Sequence, residues 1–351
     1  MFKKSAAILM ALVLGIGGLT ACGSSNSEKD DTQPSKNPEA EANVEEEANA
    51  QEEAPASKGD LKIGVIDRTA DEEVHIKFGD SIKAACKEAG IECLYSTPGE
   101  DLSLVRSTYD SYVSQGCNVI VDFLSALEVS QALAEDCRND GVFHICIDAD
   151  AGEDSYFYGL SNGDAGEKLG TYLIDYVNNK MGGVCDMLIL MDSPSHGEDV
   201  AKRTEVPKEM LIEAGLVSEG DVGYISLTNY DLESVRQETT DFLTTHADKE
   251  HALMISFASS FNDAIYSASK AQGFDDKLNL FSYDAMDVTV GILKSGEKSV
   301  TKGEVSSGID RYGYEVLEIA EKLLWGEEVP RYSYSDSFVV DAENVNEKFP
   351  D

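Results

Sequence analysis

NVIVDFLSALEVSQALAEDCRNDGVFHICID, residues 118–148, holds two short apolar runs separated by a helical stretch. NVIVDF (118–123) and VFHICID (142–148) lack a polar face, as strands buried on both sides do. Ser130–Asn139 between them reads as a helix. A strand, a helix and a strand within about thirty residues is the unit of a parallel sheet, because parallel neighbours need a crossover. The unit repeats in both directions. Upstream lie strands at LKIGVI (61–66) and IECLY (91–95). The helix 76–89 places Ile76, Ile82, Ala85, Cys86 and Ala89 near one face and ends at Gly90, a good C-cap. A second helix spans 102–115. Downstream comes a short strand at 156–160 and then a fresh series. Its helices are 165–178, 202–214, around 235–245 and 264–272; its strands are 185–191, 222–227, 252–257 and 278–283. Pro207 favours the first turn of its helix or a kink. Two such series predict an α/β protein with two lobes, each a parallel sheet wrapped by helices on both faces.

The first 59 residues are different in kind. Lys3 and Lys4 precede an apolar run, Ala6–Leu19, that falls short of the roughly 20 residues of a membrane span. Leu19-Thr20-Ala21-Cys22 follows and resembles the lipobox of bacterial lipoproteins. The resemblance implies a signal peptide over residues 1–21 and a diacylated Cys22, two acyl chains being enough for stable anchoring. Residues 22–59, rich in Glu, Asn, Ala and Ser with three prolines, cannot bury enough surface to fold and predict a disordered acidic tether.

The net charge of −38 argues against nucleic acid and against adhesion to anionic lipid. Cys86, Cys93, Cys117, Cys137, Cys146 and Cys185 show neither a CxxC pair nor metal-ligand spacing, and read as buried free thiols. Cys86 and Cys93, close across a helix–strand turn, are the pair to check by distance. GxSxG, HExxH and GxGxxG are all absent, and Glu297 spoils the near phosphate loop at Gly291–Ser299. His246 and His251 are five apart and share no helical face. No enzyme, cofactor or metal is expected.

From residue 60 onward the chain resembles the type I periplasmic binding proteins, in the ribose-binding branch related to the sensor domains of LacI-type repressors. The carriers are LKIGVI (61–66), GDSIKAACKEAGIE (79–92), SQGCNVIVDF (114–123), ICID ending at Asp148, LSNGDAGEKLG (160–170), FSYDAMD (281–287) and LKSGE before Ser307. The resemblance implies two Rossmann-like lobes with parallel sheets joined by three crossings, near Asn162, Ser307–Gly308 and Tyr334–Asp336. The lobes would comprise residues 60–162 with 308–335, and 163–307 with 336–351. It further implies a monomer that closes on a small polar ligand, a sugar or a derivative, in the interlobe cleft and serves an ABC transporter permease. The lipid on Cys22 would hold it at the extracytoplasmic face of the cell membrane. A sensory receptor that hands its ligand-bound form to a histidine kinase or chemoreceptor would share that fold and site.

Ligands of open α/β sheets lie beyond the carboxyl ends of strands, and the candidate residues stand there. Asp67 and Arg68 follow the first strand, as cleft groups or a local exposed pair. His75 lies where the family often places an aromatic ring. Asp148 ends its strand where ribose-type members carry Asp-Arg, and either accepts ligand hydroxyls or caps the next element. Arg203 matches a family arginine whose donor fork suits a hydroxylated or anionic ligand, against the alternative of a helix-surface arginine. Tyr230 falls where the family has an aromatic ring. The family's Asn-Asp aligns on Ser260-Phe261 or on Asn262-Asp263. Asp284 matches the cleft aspartate, and Ser307 stands in the place of a glutamine. These departures point to a ligand other than ribose itself.

Overall fold

The computed structural model describes residues 60–194, 197–228 and 231–350. The expected signal peptide, Cys22 and the expected tether, and also Tyr230, lie outside the described residues. The first series runs β1 (Lys62–Asp67), α1 (Glu73–Ala89), β2 (Glu92–Ser96), α2 (Leu102–Ser114), β3 (Val119–Phe123), α3 (Leu127–Asp140), β4 (Phe143–Ile147) and β5 (Tyr156–Gly159). The second runs α4 (Asn162–Lys180), β6 (Met187–Asp192), α5 (Gly197–Glu213), β7 (Val222–Ser226), α6 (Leu232–Thr245), β8 (Ala252–Ser256), α7 (Asn262–Ala271), β9 (Leu278–Tyr283), α8 (Asp287–Ser295) and β10 (Thr301–Ser306). Then come α9 (Ile309–Leu324), β11 (Tyr332–Tyr334), β12 (Phe338–Asp341) and α10 (Val345–Lys348).

Two six-stranded sheets result, ordered β11-β5-β4-β3-β1-β2 and β12-β10-β9-β8-β6-β7. Every pair in the first sheet is parallel. In the second, β12 alone runs antiparallel, against β10. This is the two-lobed α/β architecture expected from the strand–helix alternation. The chain passes between the sheets three times: after β5, after β10 on its way to α9 and β11, and between β11 and β12.

Alternation within each strand feeds both faces of its sheet. Ile63 and Val65 of β1 join Phe78, Ile82, Tyr312 and Val316 under α1 and α9. Ile66 joins Tyr112, Ile120 and Leu133 on the opposite face. Gly64, between them, leaves room for the Tyr112 ring, which a Cβ would meet at 2.4 Å. Local signals set the ends: Gly90 closes α1 in the left-handed region (φ 73), and the Asp101 side chain accepts from the Ser103 and Leu104 amides to start α2. Pro207 does not lie in a first turn, because α5 begins at Gly197 and continues through it to Glu213. Among the described residues no helix is long and apolar enough to cross a membrane. All six cysteines there are unpaired, and five of them are buried.

Candidate functional site

The carboxyl ends of β1, β3 and β4 face those of β6, β8 and β9 across a cleft. One chamber of about 330 Å³ is lined by Phe123, Asp148 and Ala149 from the first lobe and by Val200, Arg203 and Phe257 from the second. Another, of about 370 Å³, lies between Glu72–Val74 and Ser259, Ser260, Asn262, Asp284 and Thr289. Both mix apolar walls with a few convergent polar groups, as small-molecule sites do.

Arg203 is the junction. Its Nε donates to Asn162 Oδ1 at 2.7 Å, and Nη1 donates to the Phe257 carbonyl at 3.0 Å and reaches Asp284 Oδ1 at 3.4 Å. Its side chain is 16% exposed, so the alternative of a surface helix arginine does not describe it. Pro207 helps to hold it there. Proline has no N–H to give to the carbonyl four residues earlier, which is that of Arg203. The hydroxyl of Tyr283 donates to that carbonyl instead, at 2.6 Å, and the ring lies 5.2 Å from the guanidinium. The residue that interrupts the helix therefore ties the arginine's backbone to β9, next to Asp284.

Both cleft aspartates occupy the left-handed region that non-glycine residues seldom adopt: Asp148 at φ 58, and Asp284 at φ 99 followed by Ala285 at φ 52. Such backbone costs of order 1–3 kcal/mol per residue and collects at functional sites. Asp148 Oδ1 accepts from the Leu160 amide at 3.0 Å and from the Tyr312 hydroxyl at 3.4 Å. Gly159 leaves the space, since a Cβ there would meet that oxygen at 2.3 Å. Asp148 is thus tied to the first crossing and does not cap a helix. Asp148 is exposed and Asp284 half-buried at the cleft surface, with residues of both lobes around each. Enclosure raises the pKa of each carboxyl; the Leu160 amide and Arg203 oppose this at Asp148, and Arg203 does so first at Asp284.

Asp67 forms no exposed pair with Arg68. It is fully buried, and its carboxylate accepts from the Tyr95 hydroxyl and from His75 Nδ1, the latter at 2.5 Å. Arg68 meets His75 Nε2 at 3.0 Å and Glu72 at 2.5 Å. A guanidinium only donates, so Nε2 accepts and Nδ1 carries the hydrogen. The His75 ring rests against Phe123, centroids 4.2 Å apart. Asp67 and His75 thus brace the cleft wall from behind.

Ser260 is exposed on the 370 Å³ chamber, and Asn262 is buried beneath it. Asn262 Nδ2 donates to Glu304 Oε1 at 2.7 Å, and Ser282 Oγ donates to the same oxygen at 2.6 Å. Glu304 is fully buried; burial, with the Asp284 charge adding to it, pushes its carboxyl up to about 8. Glu304 Oε2 and Asn262 Oδ1 have no donor. Ser307 is buried at the second crossing and hydrogen-bonds Tyr312.

Arg203, Asp148, Asp284 and Asn162 therefore converge, whereas Asp67 and His75 stand one layer back. Asn162, Tyr283 and Glu304 escape a reading confined to strand ends. The LSNGD stretch opening α4 marks Asn162; Tyr283 and Glu304 read only as core. At one rim the lobes touch directly. Glu73 accepts from the Asp287 amide at 2.7 Å, and Lys77 Nζ reaches the Asp287 carboxylate at 2.6 Å and Glu73 at 3.3 Å. Partial burial of Lys77 opposes its charge, but its bonds to these carboxylates outweigh that and raise its pKa. Among the described residues no group of three or more metal-ligating side chains converges.

A family model described as a periplasmic binding protein domain matches residues 63–328. A sequence search of curated proteins finds no match. Among solved structures, a periplasmic ribose ABC transporter protein from Conexibacter woesei is similar with a TM-score of 0.70 at 15% identity, over 85% of this chain and 97% of that one. The 5-methylthioribose transporter solute-binding protein from Thermotoga lettingae gives 0.66 at 12%, over 84% and 89%. A periplasmic solute-binding protein from Actinobacillus succinogenes with bound D-allose gives 0.66 at 16%, over 82% and 99%.

Proposed function

Because this chain belongs to the periplasmic binding protein family, we propose that it captures a small polar solute, a sugar or sugar-like molecule, for an ABC transporter. It does so in the cleft between its lobes, by hinge closure, and is held at the extracytoplasmic face of the membrane by lipid on Cys22. The observation that carries the reading is the Arg203 junction with Asn162, the Phe257 carbonyl and Asp284, opening on the same cleft as Asp148. A fixed donor fork between two carboxylates suits a ligand that both donates and accepts, as vicinal hydroxyls do. The three passages between sheets suit a hinge, and the Glu73–Lys77–Asp287 contacts across the rim fit a closed arrangement. Solved proteins of similar fold carry ribose-type names or bound D-allose, which favours a sugar.

Asp284→Ala tests the assignment. Loss of a hydrogen bond to a charged group is worth about 1.5–3 kcal/mol, so affinity should fall at least tenfold. A thermal-shift screen of sugars and polyols should stabilise the wild type and not the variant, while the unliganded variant stays folded by circular dichroism. Unchanged binding in the variant removes Asp284 from the site; stabilisation by no solute refutes the capture reading.

A further inference from the structure

The geometry points to a second ring-binding subsite beside the cleft, so that the cargo is a two-ring carbohydrate. This rests on the solute-capture reading above and deepens it. A void of about 900 Å³ opens between β5, β11 and the start of α4. It shares Ser125, Asp148, Ala149, Leu160, Asn162 and Val200 with the 330 Å³ chamber, so the two adjoin. Ligand pockets run from roughly 300 to 1,000 Å³. The inner chamber is at the single-ring end of that range and the outer void near the top of it.

The outer wall is aromatic. Tyr332 and Tyr334 project from β11 with parallel rings, 9° apart in plane and 6.4 Å between centroids, and Phe157 packs against both. They are 41% and 52% exposed, although an edge strand is the place where a protein gains least from bare aromatic surface. The Arg331 guanidinium lies 4.6 Å from the Tyr332 ring centre, which leaves Tyr334 the more open platform. Hydrogen-bonding groups surround it. Asp150 is fixed by Arg331 at 2.7 Å and by the Tyr332 hydroxyl at 2.9 Å, and Asp164 and Lys202 line the same void. An apolar ring face flanked by carboxylates matches a pyranose, which offers C–H on its faces and O–H at its edge. The lining, with Asp148, Asp150, Asp164 and Asp199 against Lys202, disfavours an anionic second group.

Isothermal titration of the full chain with D-ribose, D-allose, maltose, cellobiose, trehalose and lactose tests this, using the wild type, Tyr334→Ala, Tyr334→Phe and Asp284→Ala. At least one disaccharide should bind the wild type more tightly than either monosaccharide. Tyr334→Ala should weaken that disaccharide roughly three- to tenfold and leave monosaccharide affinity within twofold, while Tyr334→Phe keeps the ring and the affinity. Monosaccharides binding as tightly as every disaccharide, or Tyr334→Ala affecting both classes alike or neither, overturns the subsite. If monosaccharide binding is still lost in Asp284→Ala, only the subsite falls. Binding of neither class overturns the capture reading and the subsite together.

Discussion

Glu304 makes the stability of this protein depend on pH near neutrality. Its carboxyl has an ordinary value of 4.5 and is pushed up to about 8 in the folded chain, mainly by burial. A raised pKa means that the folded state holds the proton more tightly than the unfolded state does. The contribution is complete below about pH 4.5 and is lost as pH rises through about 8. Between those limits the folded protein should lose up to about 1.4 kcal/mol per pH unit, or roughly 5 kcal/mol across the window. The cluster is short of hydrogens, with Glu304 Oε2 and Asn262 Oδ1 both lacking a donor, so a retained proton is what it needs. Glu304→Gln keeps the shape and removes the titration. Urea unfolding of both proteins at pH 5, 6, 7 and 8 should give curves that diverge, the wild type losing ground to the variant as pH rises. A constant difference between them across that range would falsify the assignment of a neutral carboxyl.

Three further outcomes follow from the packing. Lys77→Ala removes the contacts to Glu73 and Asp287 at the rim; with Asp287 largely exposed, about 1 kcal/mol is at stake. Release of any solute found to bind in the thermal-shift screen should quicken about fivefold in surface plasmon resonance with little change in association, and an unaltered release rate rules out a closing role. Gly313→Ala would drive a Cβ to 2.1 Å from the Ile82 nitrogen where α9 crosses α1, so a loss of 3 kcal/mol or more is expected in chemical unfolding. A loss below 1 kcal/mol would show that the crossing yields. The Cys86 thiol hydrogen-bonds Cys93, which lowers the pKa of Cys93 and, with burial, raises that of Cys86. Cys93, the one half-buried thiol of the six, should therefore alkylate first with iodoacetamide; faster labelling of another cysteine by peptide mass spectrometry contradicts this.

The sheets were legible because parallel strands buried on both faces leave apolar runs, as in NVIVDF and CDMLILM, that few other structures need. The closing part of each lobe was harder. In α9, Ile309, Tyr312, Val316, Ile319 and Leu323 are buried at helical spacing, and periodicity applied beyond Tyr283 would have found it. β11 and β12 offer three and four residues and become strands only through their partners β5 and β10. Strand ends marked Asp148 and Asp284 as groups that reach the cleft. The same rule placed Asp67 there too, but Tyr95 and His75 occupy its oxygens, a pairing across eight and twenty-eight positions that no local pattern contains. Arg203 is similar: its address was readable, but its fixed pose depends on a proline four residues on in α5 and a tyrosine at the end of β9.

The last passage between sheets has a consequence for how the protein is made. The first lobe is assembled from the opening stretch through β5 and, long afterwards, from α9 and β11. A chain emerging from its N-terminal end can lay down β1 to β5 early, but Phe78, Ile82 and Ala85 of α1 keep an open flank until Tyr312 and Val316 arrive to cover it. The second lobe likewise waits for β12. Neither half reaches its final stability before nearly the whole polypeptide has appeared, so truncation short of α9 should leave both halves open to proteases at once, and truncation between β11 and β12 only the second.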